Sequence, residues 1–550
     1  MSKNKIIQVL ILIGLAYIFL MFGNGTLSLT NPDEVFYTQT AKEMINHKTW
    51  MTPYLFDAPQ FEKPILLYWL MRASLGIFGN TSFAARFPAA FIAILGVVAL
   101  YLLVLFGFKN DKKAFITGLV LMSSGFYIGL SRSVFTDMIF SVFILSALLS
   151  FYWGYSRGDR KGRGIICFFA SSALAVLAKG PLGLIITLSV VIVFLFIKKD
   201  LKYLFCRRAL WGLLVFGAIA LPWYILMEVK YGASFNREFF YNDHFVRLIK
   251  AEHQGNDRWY YYPLTMVGTV FPWCLYTLAG LACMFKNIRR DSSAFNTFLA
   301  VWIGVVLLIF QFAHSKLTSY IFPLFPALVI IAGDFIYNGI YLGDKRRLFY
   351  IFSLVMSAVV LLAPVALIVA MPVYSAYLKS IIPAYGLIAA LAALGAISLW
   401  LLLRKKFLGF IFTLAFLPLI TLFGAGSIHE DVEPYVSSRL ASEYLVNNYT
   451  VDGPIICSKF YARGVRFYTG KEVVVVDIPG TNFFSPHPVL FLDTYDKVRD
   501  FLSRRPVNYG ILKKGNVGNF ESLTKDRYQF EILKKIGNEY VIRVSALPKS

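Results

Sequence analysis

Long apolar runs set the pattern of this chain as far as residue 426. A bilayer core takes about 20 apolar residues per helix, so the runs predict about thirteen membrane spans. They lie at 6–25, 83–106, 114–131, 134–153, 164–179, 181–197, 209–228, 263–285, 294–313, 320–341, 348–370, 384–403 and 407–426. The fifth and sixth are short and are split by Lys179-Gly180-Pro181. Two stretches between spans, 26–82 and 229–262, are too long for simple turns. Beyond 426 the apolar runs shrink to PIIC (454–457), VVVVD (473–477), PVLFL (488–492), NYGIL (508–512) and YVIRV (540–544). Helical patterns at 434–447 and 494–504 lie between them, an alternation that predicts a small α/β domain. The expected organisation is a membrane domain over 1–426, with interfacial helices in 26–82 and 229–262, and a C-terminal α/β domain over 427–550.

Composition narrows the class. The chain is 57% hydrophobic and 15% charged, whereas a typical soluble domain is 45–50% apolar and about 25% charged. A soluble globule, a disordered chain and a disulfide scaffold are all excluded. The five cysteines form no CxxC and read as small hydrophobes. No P-loop, GxGxxG or obvious internal repeat is present.

The net charge of +23 on a soluble protein would suggest nucleic acid. Here its location gives another reading. The N-terminus and the loops at 108–113, 156–163, 198–208, 286–291, 343–347 and 404–406 hold 23 Lys and Arg against 5 Asp and Glu. The short alternate loops carry about one basic residue each, so the bias is that of cytoplasmic loops. The N-terminus is therefore expected in the cytoplasm and the C-terminal domain outside. That domain has 17 basic and 14 acidic residues and is nearly neutral. The first apolar segment is followed by no A-x-A site and reads as a span, not a cleaved leader.

The acids outside the basic loops and the C-terminal domain are few enough to weigh one by one. Asp33 and Glu34 sit in NPDEVFYTQTAKEM, where Tyr37, Ala41, Met44 and Ile45 recur at helical spacing. That predicts a short amphipathic helix on the outer surface, with Asp33 either its N-cap or a functional acid. Glu62 and Lys63 precede Pro64, a residue suited to a first helical turn. A lysine there is electrostatically unfavourable unless an anion binds, and the alternative is a surface ion pair. Asp137 lies just inside the fourth span, where an ionisable side chain is functional by default; the alternative is a buried Asp satisfied by a neighbouring helix or by Arg132. His244 and Arg247 stand in a crowded polar stretch with Asp243, Lys250, Glu252, His253 and Arg258, which is either a solvated loop or part of a site. Lys179 and Lys316 end spans on the outer side and either snorkel or serve a site. Tyr320 follows Lys316 by four residues, one helical turn, so the two are expected to share a face. Asp334, near the opposite end of its span, reads as structural.

These residues come from distant parts of the chain, yet the topology predicts all of them at the outer interface. Cations there suit a phosphate headgroup, and a carboxylate suits a general base acting on an acceptor. A lipid-linked donor fits such a place, since no cytosolic nucleotide reaches it.

The motifs NPDEVFYTQTAKEM, FEKPILLYW, SVFTDMIFSVF, AKGPLGL, HFVRLIKAE with WYYYP, and HSKLTSYIFP together resemble the GT-C class of membrane glycosyltransferases. The likeness is to the lipid A aminoarabinose transferases and the protein O-mannosyltransferase superfamily, and it runs through the first ~340 residues in order. It implies a polytopic α-helical GT-C fold in a bacterial inner membrane. It also implies an inverting transfer from a polyprenyl-phosphate sugar to a membrane lipid, glycan or protein acceptor on the periplasmic side, with no nucleic-acid partner. Asp33 and Asp137 match the family's two aspartates. Lys63, Arg247 and Tyr320 match positions that bind the lipid phosphate. Glu62 and His244 match positions that hold a divalent metal in some members. Glu34, Arg132, Lys179 and Lys316 are further candidates. Arg132 departs from the aminoarabinose transferase pattern, and FVRLIKAEHQGNDRW fits its loop loosely, which leaves the sugar and the acceptor open. The rival readings are a flippase or transporter of a lipid-linked sugar, an O-antigen-type glycan ligase or polymerase, and a structural membrane protein with an exported sensing domain.

Overall fold

The computed structural model describes residues 2–159, 162–204, 207–246, 256–287, 293–478, 488–524 and 527–547. The chain divides into two compact units. The first comprises Met1–Asn24, Phe61–Leu67 and Arg86–Ala425; the second comprises Gly25–Gln60, Tyr68–Ala85 and Gly426–Ser550.

The first unit is helical. Among the described residues, nine helices are long and apolar enough to cross a membrane, or up to eleven if each bent pair is one span. The bent pairs are Asp111–Met122 with Gly125–Ser131, at 64°, and Tyr261–Thr269 with Cys274–Lys286, at 119°. Each of the thirteen expected runs contains helix, but their number as spans is smaller by these criteria. The fifth and sixth runs form Arg163–Lys179 and Leu182–Ile197, of 17 and 16 residues. Gly180 separates them with φ +90°, which an L side chain rarely adopts. The two helices fold back on each other, and Ser172 and Thr187 share a buried hydrogen bond of 3.0 Å. Asp334 pairs with Lys113, tying Phe325–Tyr337 to Asp111–Met122. The structural role expected for this acid is what the packing gives it.

The second unit contains a six-stranded sheet. Its strands are β3 (Ile455–Ser458), β4 (Val473–Val476), β5 (Leu490–Leu492), β6 (Val507–Lys513), β7 (Tyr528–Ile536) and β8 (Glu539–Ala546). The order is β5-β4-β3-β6-β8-β7; the first four run parallel, and β8 and β7 are added antiparallel. Strand periodicity builds both faces. Ile455, Cys457, Val473, Val475, Ile511 and Val541 pack on one side with helices Arg439–Asn448 and Ala462–Thr469. Ile456, Val474, Val476, Leu512, Ile542 and Val544 pack on the other with Tyr495–Ser503 and Lys514–Thr524. Residues i and i+1 serve opposite cores because strand side chains alternate. Parallel strands covered on both faces read as short continuous apolar runs, which is why VVVV looks as it does.

The helix Asp33–Asn46 belongs to this second unit and is buried on most sides: Val35, Phe36, Tyr37, Thr40, Ala41 and Met44 are all enclosed. It packs on Ala462–Thr469 and on β1 (Tyr54–Leu55), which pairs with β2 (Ala58–Pro59). Arg72 donates to the carbonyls of Met44 and Thr49 and lies over the Trp50 ring, closing the end of that helix.

Candidate functional site

In the first unit, the segment after Phe61 is held by a π-helical stretch, Asn236–Val246. Glu238 Oε1 accepts from the Phe61 amide at 2.9 Å. Lys63 Nζ donates to Asp243 Oδ2 at 2.6 Å and to the Glu62 carbonyl at 3.0 Å. Lys63 and Asp243 are both largely buried. Burial pushes the Glu238 carboxyl up to about 7, Glu62 and Asp243 add to the rise, and the Phe61 hydrogen bond opposes it. So Lys63 is paired with Asp243 and is not a lone cation at a helix start. Arg247 lies outside the described residues, as does the His244 side chain.

A second cluster joins three expected residues. Asp137 stands in the first turn of Thr136–Ser156, and Lys179 is the last residue of Arg163–Lys179. Each charge suits the helix dipole at its position. Their side chains meet at 2.6 Å, both mostly buried. The Lys179 ammonium also lies 4.7 Å from the centre of the Tyr320 ring, a cation–π distance.

Lys316 does not join them. The expectation of a face shared with Tyr320 fails because the helix begins only at Thr318, after an extended Leu317. Lys316, 4% exposed, instead donates to Asp257 at 3.1 Å and to the Arg258 carbonyl at 3.3 Å. Asp257 also takes His314 at 2.7 Å, and these two partners hold its carboxyl below the usual range. Arg132 is likewise accounted for. Its guanidinium donates to the carbonyls of Phe19 and Phe22, where the first helix ends and its carbonyls lack helical partners. It terminates the first helix.

In the second unit, Asp33 is the first residue of its helix and is exposed; Pro32 occupies the N-cap position. Glu34 is buried and accepts from the Thr30 amide at 3.0 Å and from its hydroxyl at 2.9 Å. It shapes the turn that presents Asp33. That turn is fixed further by Asn31, whose amide donates to the Val436 carbonyl at 2.9 Å and whose side chain donates to Ser438 at 2.7 Å. Glu43, also buried, accepts from the Phe56 and Asp57 amides.

Sequence reading placed Asp243 in the crowded polar stretch but did not pair it, and it did not single out Glu238 or Asp257. Lys63 and Asp243 are 180 residues apart, so no spacing rule connects them. Among the described residues, no group of three His, Cys, Asp or Glu side chains is placed to hold a metal ion.

Comparison with known proteins bears on this arrangement. Residues 62–225 match the family model described as dolichyl-phosphate-mannose-protein mannosyltransferase. The undecaprenyl phosphate-alpha-4-amino-4-deoxy-L-arabinose arabinosyl transferase of Photorhabdus laumondii is 31% identical over 316 residues, 57% of this chain and 56% of that one. An enzyme of the same name, numbered 2, from Proteus mirabilis is 28% identical over 340 residues, 61% of this chain and 60% of its own. The matched region thus spans somewhat over half the length of these relatives. Crystal structures of ArnT from Cupriavidus metallidurans superpose with TM-scores of 0.77 with undecaprenyl phosphate bound and 0.78 in the apo state, at 19% identity and 97% coverage of both chains. The oligosaccharyltransferase of Archaeoglobus fulgidus gives 0.56 at 12% identity, covering 94% of this chain and 71% of that one. The resemblance carried by the motifs therefore holds in sequence and in fold: this chain is a polytopic membrane protein with the GT-C fold, similar to bacterial aminoarabinose transferases.

Proposed function

We propose that the protein is an inverting membrane glycosyltransferase that moves a sugar from a polyprenyl-phosphate donor to an acceptor of the lipid A type. The observation that carries this reading is the agreement of two independent likenesses. A family model of lipid-phosphate-dependent transferases matches the segment holding Glu62, Lys63, Asp137 and Lys179. The ArnT fold extends over nearly all of the chain. The N-terminus is cytoplasmic in this reading, the first unit's helices bed the donor in the membrane, and residues 427–550 form an α/β domain on the periplasmic side.

The chemistry follows from the residue types. The acceptor oxygen attacks the anomeric carbon, the bond from that carbon to the donor phosphate breaks, and the polyprenyl phosphate leaves with the electron pair. Lys63, Arg247 and Tyr320 bind that phosphate and stabilise the leaving charge, the role in which fixed cations contribute most. Asp33 takes the proton of a hydroxyl acceptor, or orients an acceptor phosphate that is already ionised. Asp137 holds Lys179 against the ring of Tyr320 and so orients the phosphate-binding tyrosine. A divalent cation belongs to this reading only at Glu62 and His244, with Glu238 and Asp243 as the nearby acids. Transfer that survives chelation and exhaustive metal removal eliminates it.

The deciding experiment uses the full chain in lipid nanodiscs, undecaprenyl-phosphate aminoarabinose, and lipid A, with mass spectrometry of the acceptor. One added sugar per modified site is expected. Ladders of repeating mass would indicate a polymerase. Movement of donor across the bilayer without any new product would indicate a flippase.

A further inference from the structure

The second unit carries a cavity that the reaction above does not use. It encloses about 330 Å³ and is lined by Pro32, Ser458, Lys459, Phe460, Arg463, Asp477, Lys513 and Asn516. We propose that this cavity binds the phosphate-bearing sugar headgroup of the acceptor and presents it beside Asp33. The proposal rests on the transferase reading and gives it an acceptor subsite.

Topology comes first. Ser458 ends β3, Asp477 follows β4, and Lys513 ends β6, so the cavity opens at the carboxyl ends of parallel strands. In the order β5-β4-β3-β6, the chain leaves β3 toward β4 on one side and returns to β6 on the other. That is a topological switch point, where the helices that follow adjacent strands diverge and leave a crevice for a ligand. The helices following β3 and β6, Ala462–Thr469 and Lys514–Thr524, both start from this edge. Their amino ends favour an anion there.

Charge points the same way. Among the described lining residues, three cations, Lys459, Arg463 and Lys513, stand with one acid, Asp477. The lining is also ordered from below. Ser458, buried at the end of β3, accepts from the Lys513 amide at 2.8 Å and bonds Asn516 at 3.1 Å, which fixes the two strand ends to each other. Arg463 lies with its guanidinium 4.6 Å from the centre of the Phe36 ring, on the helix that Asp33 begins. Phe460 is 43% exposed and gives the cavity an apolar wall for the face of a sugar ring. The volume is at the small end of ligand pockets, suited to one sugar phosphate and not to an acyl chain. Pro32 contributes to the wall, and Asp33 is the next residue.

The test measures binding and turnover separately, on the full chain in nanodiscs. The probes are a phosphorylated lipid A-type glycolipid, its dephosphorylated counterpart, glucosamine 1-phosphate and inorganic phosphate. The phosphorylated glycolipid is expected to bind at least tenfold more tightly than the dephosphorylated one. Arg463→Gln and Lys513→Gln are each expected to weaken it about tenfold, the usual scale of one lost charge-assisted contact. Lys513 is exposed, so its variant tests binding with little risk to folding, and Lys513→Arg is expected to restore affinity. Transfer by these variants should show a raised acceptor KM with donor KM unchanged. Competition by glucosamine 1-phosphate well below the concentration needed of inorganic phosphate supports a headgroup. Equal competition assigns the cavity to a free anion and overturns the acceptor role. Wild-type affinity and acceptor KM in both Gln variants overturn the proposal while leaving the transferase reading intact. Phosphate-dependent binding without transfer of any sugar removes the transferase reading and leaves the cavity an anion site.

Discussion

Asp33 and Asp137 occupy the same local position and live in different surroundings. Each stands in the first turn of a helix, where the dipole favours a negative charge. Asp33 is exposed in the second unit, beside a cationic cavity. Asp137, 7% exposed, is locked to Lys179 in the first unit. A third acid completes the series. Glu539 is 2% exposed in the second unit, accepts from Ser438 at 2.9 Å, and has no salt bridge among the described residues. The comparison teaches that an acid's role follows from what burial leaves it to do. The exposed one faces solvent, the buried pair neutralises its own charge, and the buried acid without a cation is driven toward its neutral form.

The largest effect is expected at the exposed acid. Asp33→Asn should lower transfer by about 10²–10⁴-fold, the usual contribution of one positioned proton acceptor. It should leave the melting temperature and donor binding almost unchanged, because the carboxylate is exposed. Transfer assayed by mass spectrometry at wild-type rate would end the central claim.

The buried pair should respond differently. Asp137→Asn strands the Lys179 ammonium, and breaking one partner of a buried pair costs about 3–5 kcal/mol. Stability and activity should therefore fall together. The double variant Asp137→Asn with Lys179→Met removes the stranded charge and should recover most of the melting temperature. If activity returns as well, the pair is only structural and Tyr320 needs no ammonium above it.

This contrast was half legible in the sequence. Composition and run length gave the helical class, and the loop charges gave an expected orientation. The alternation of short apolar runs gave the α/β domain. Asp33 and Asp137 stood out because acids are rare beside spans. Their difference in burial did not, since a first-turn aspartate looks the same in sequence whether a lysine 42 residues later reaches it or not. The helix Asp33–Asn46 was expected to show one apolar face, yet Glu34, Thr38, Gln39, Thr40 and Glu43 are buried too. Several of their polar groups bond inside the unit, as Glu34 with Thr30 and Glu43 with Gln39 and Phe56 show. The cavity was not foreseen. Lys459, Arg463 and Lys513 become neighbours only once β3 and β6 pair. The available signal was a lysine directly after the apolar runs PIIC-Ser458 and NYGIL.

The buried acid without a cation gives the pH dependence. Burial raises Glu539 from an ordinary 4.5 to about 8. A raised carboxyl binds its proton more tightly in the folded state, so this group's contribution to stability is fully present below 4.5 and is lost as pH rises from there toward 8. Glu539→Gln keeps the acceptor for Ser438 and removes the charge. Its melting curve should match wild type near pH 4.5 and exceed it at pH 7 by up to about 3 kcal/mol. Indistinguishable profiles for the two proteins between pH 5 and 8 would show that Glu539 ionises normally.

The smallest expected effect tests how Asp33 is held. Gly464 lies in Ala462–Thr469, and a Cβ built there would meet Asn31 Oδ1 at 2.3 Å and Ser438 Oγ at 3.1 Å. Those two side chains share the 2.7 Å bond that fixes the turn ahead of Asp33. Gly464→Ala must push that turn away or shift the helix, an overpacking cost of about 1–3 kcal/mol. A structural defect alone would lower the melting temperature and leave kcat per folded molecule intact. If the turn sets the position of Asp33, kcat should fall several-fold at temperatures where the variant remains folded, because small misplacements of a reacting group are costly. Asn31→Ala in the Gly464→Ala background relieves the clash without restoring the bond. Stability should then recover while kcat stays low, which separates space from positioning and decides whether the exposed aspartate depends on its anchor.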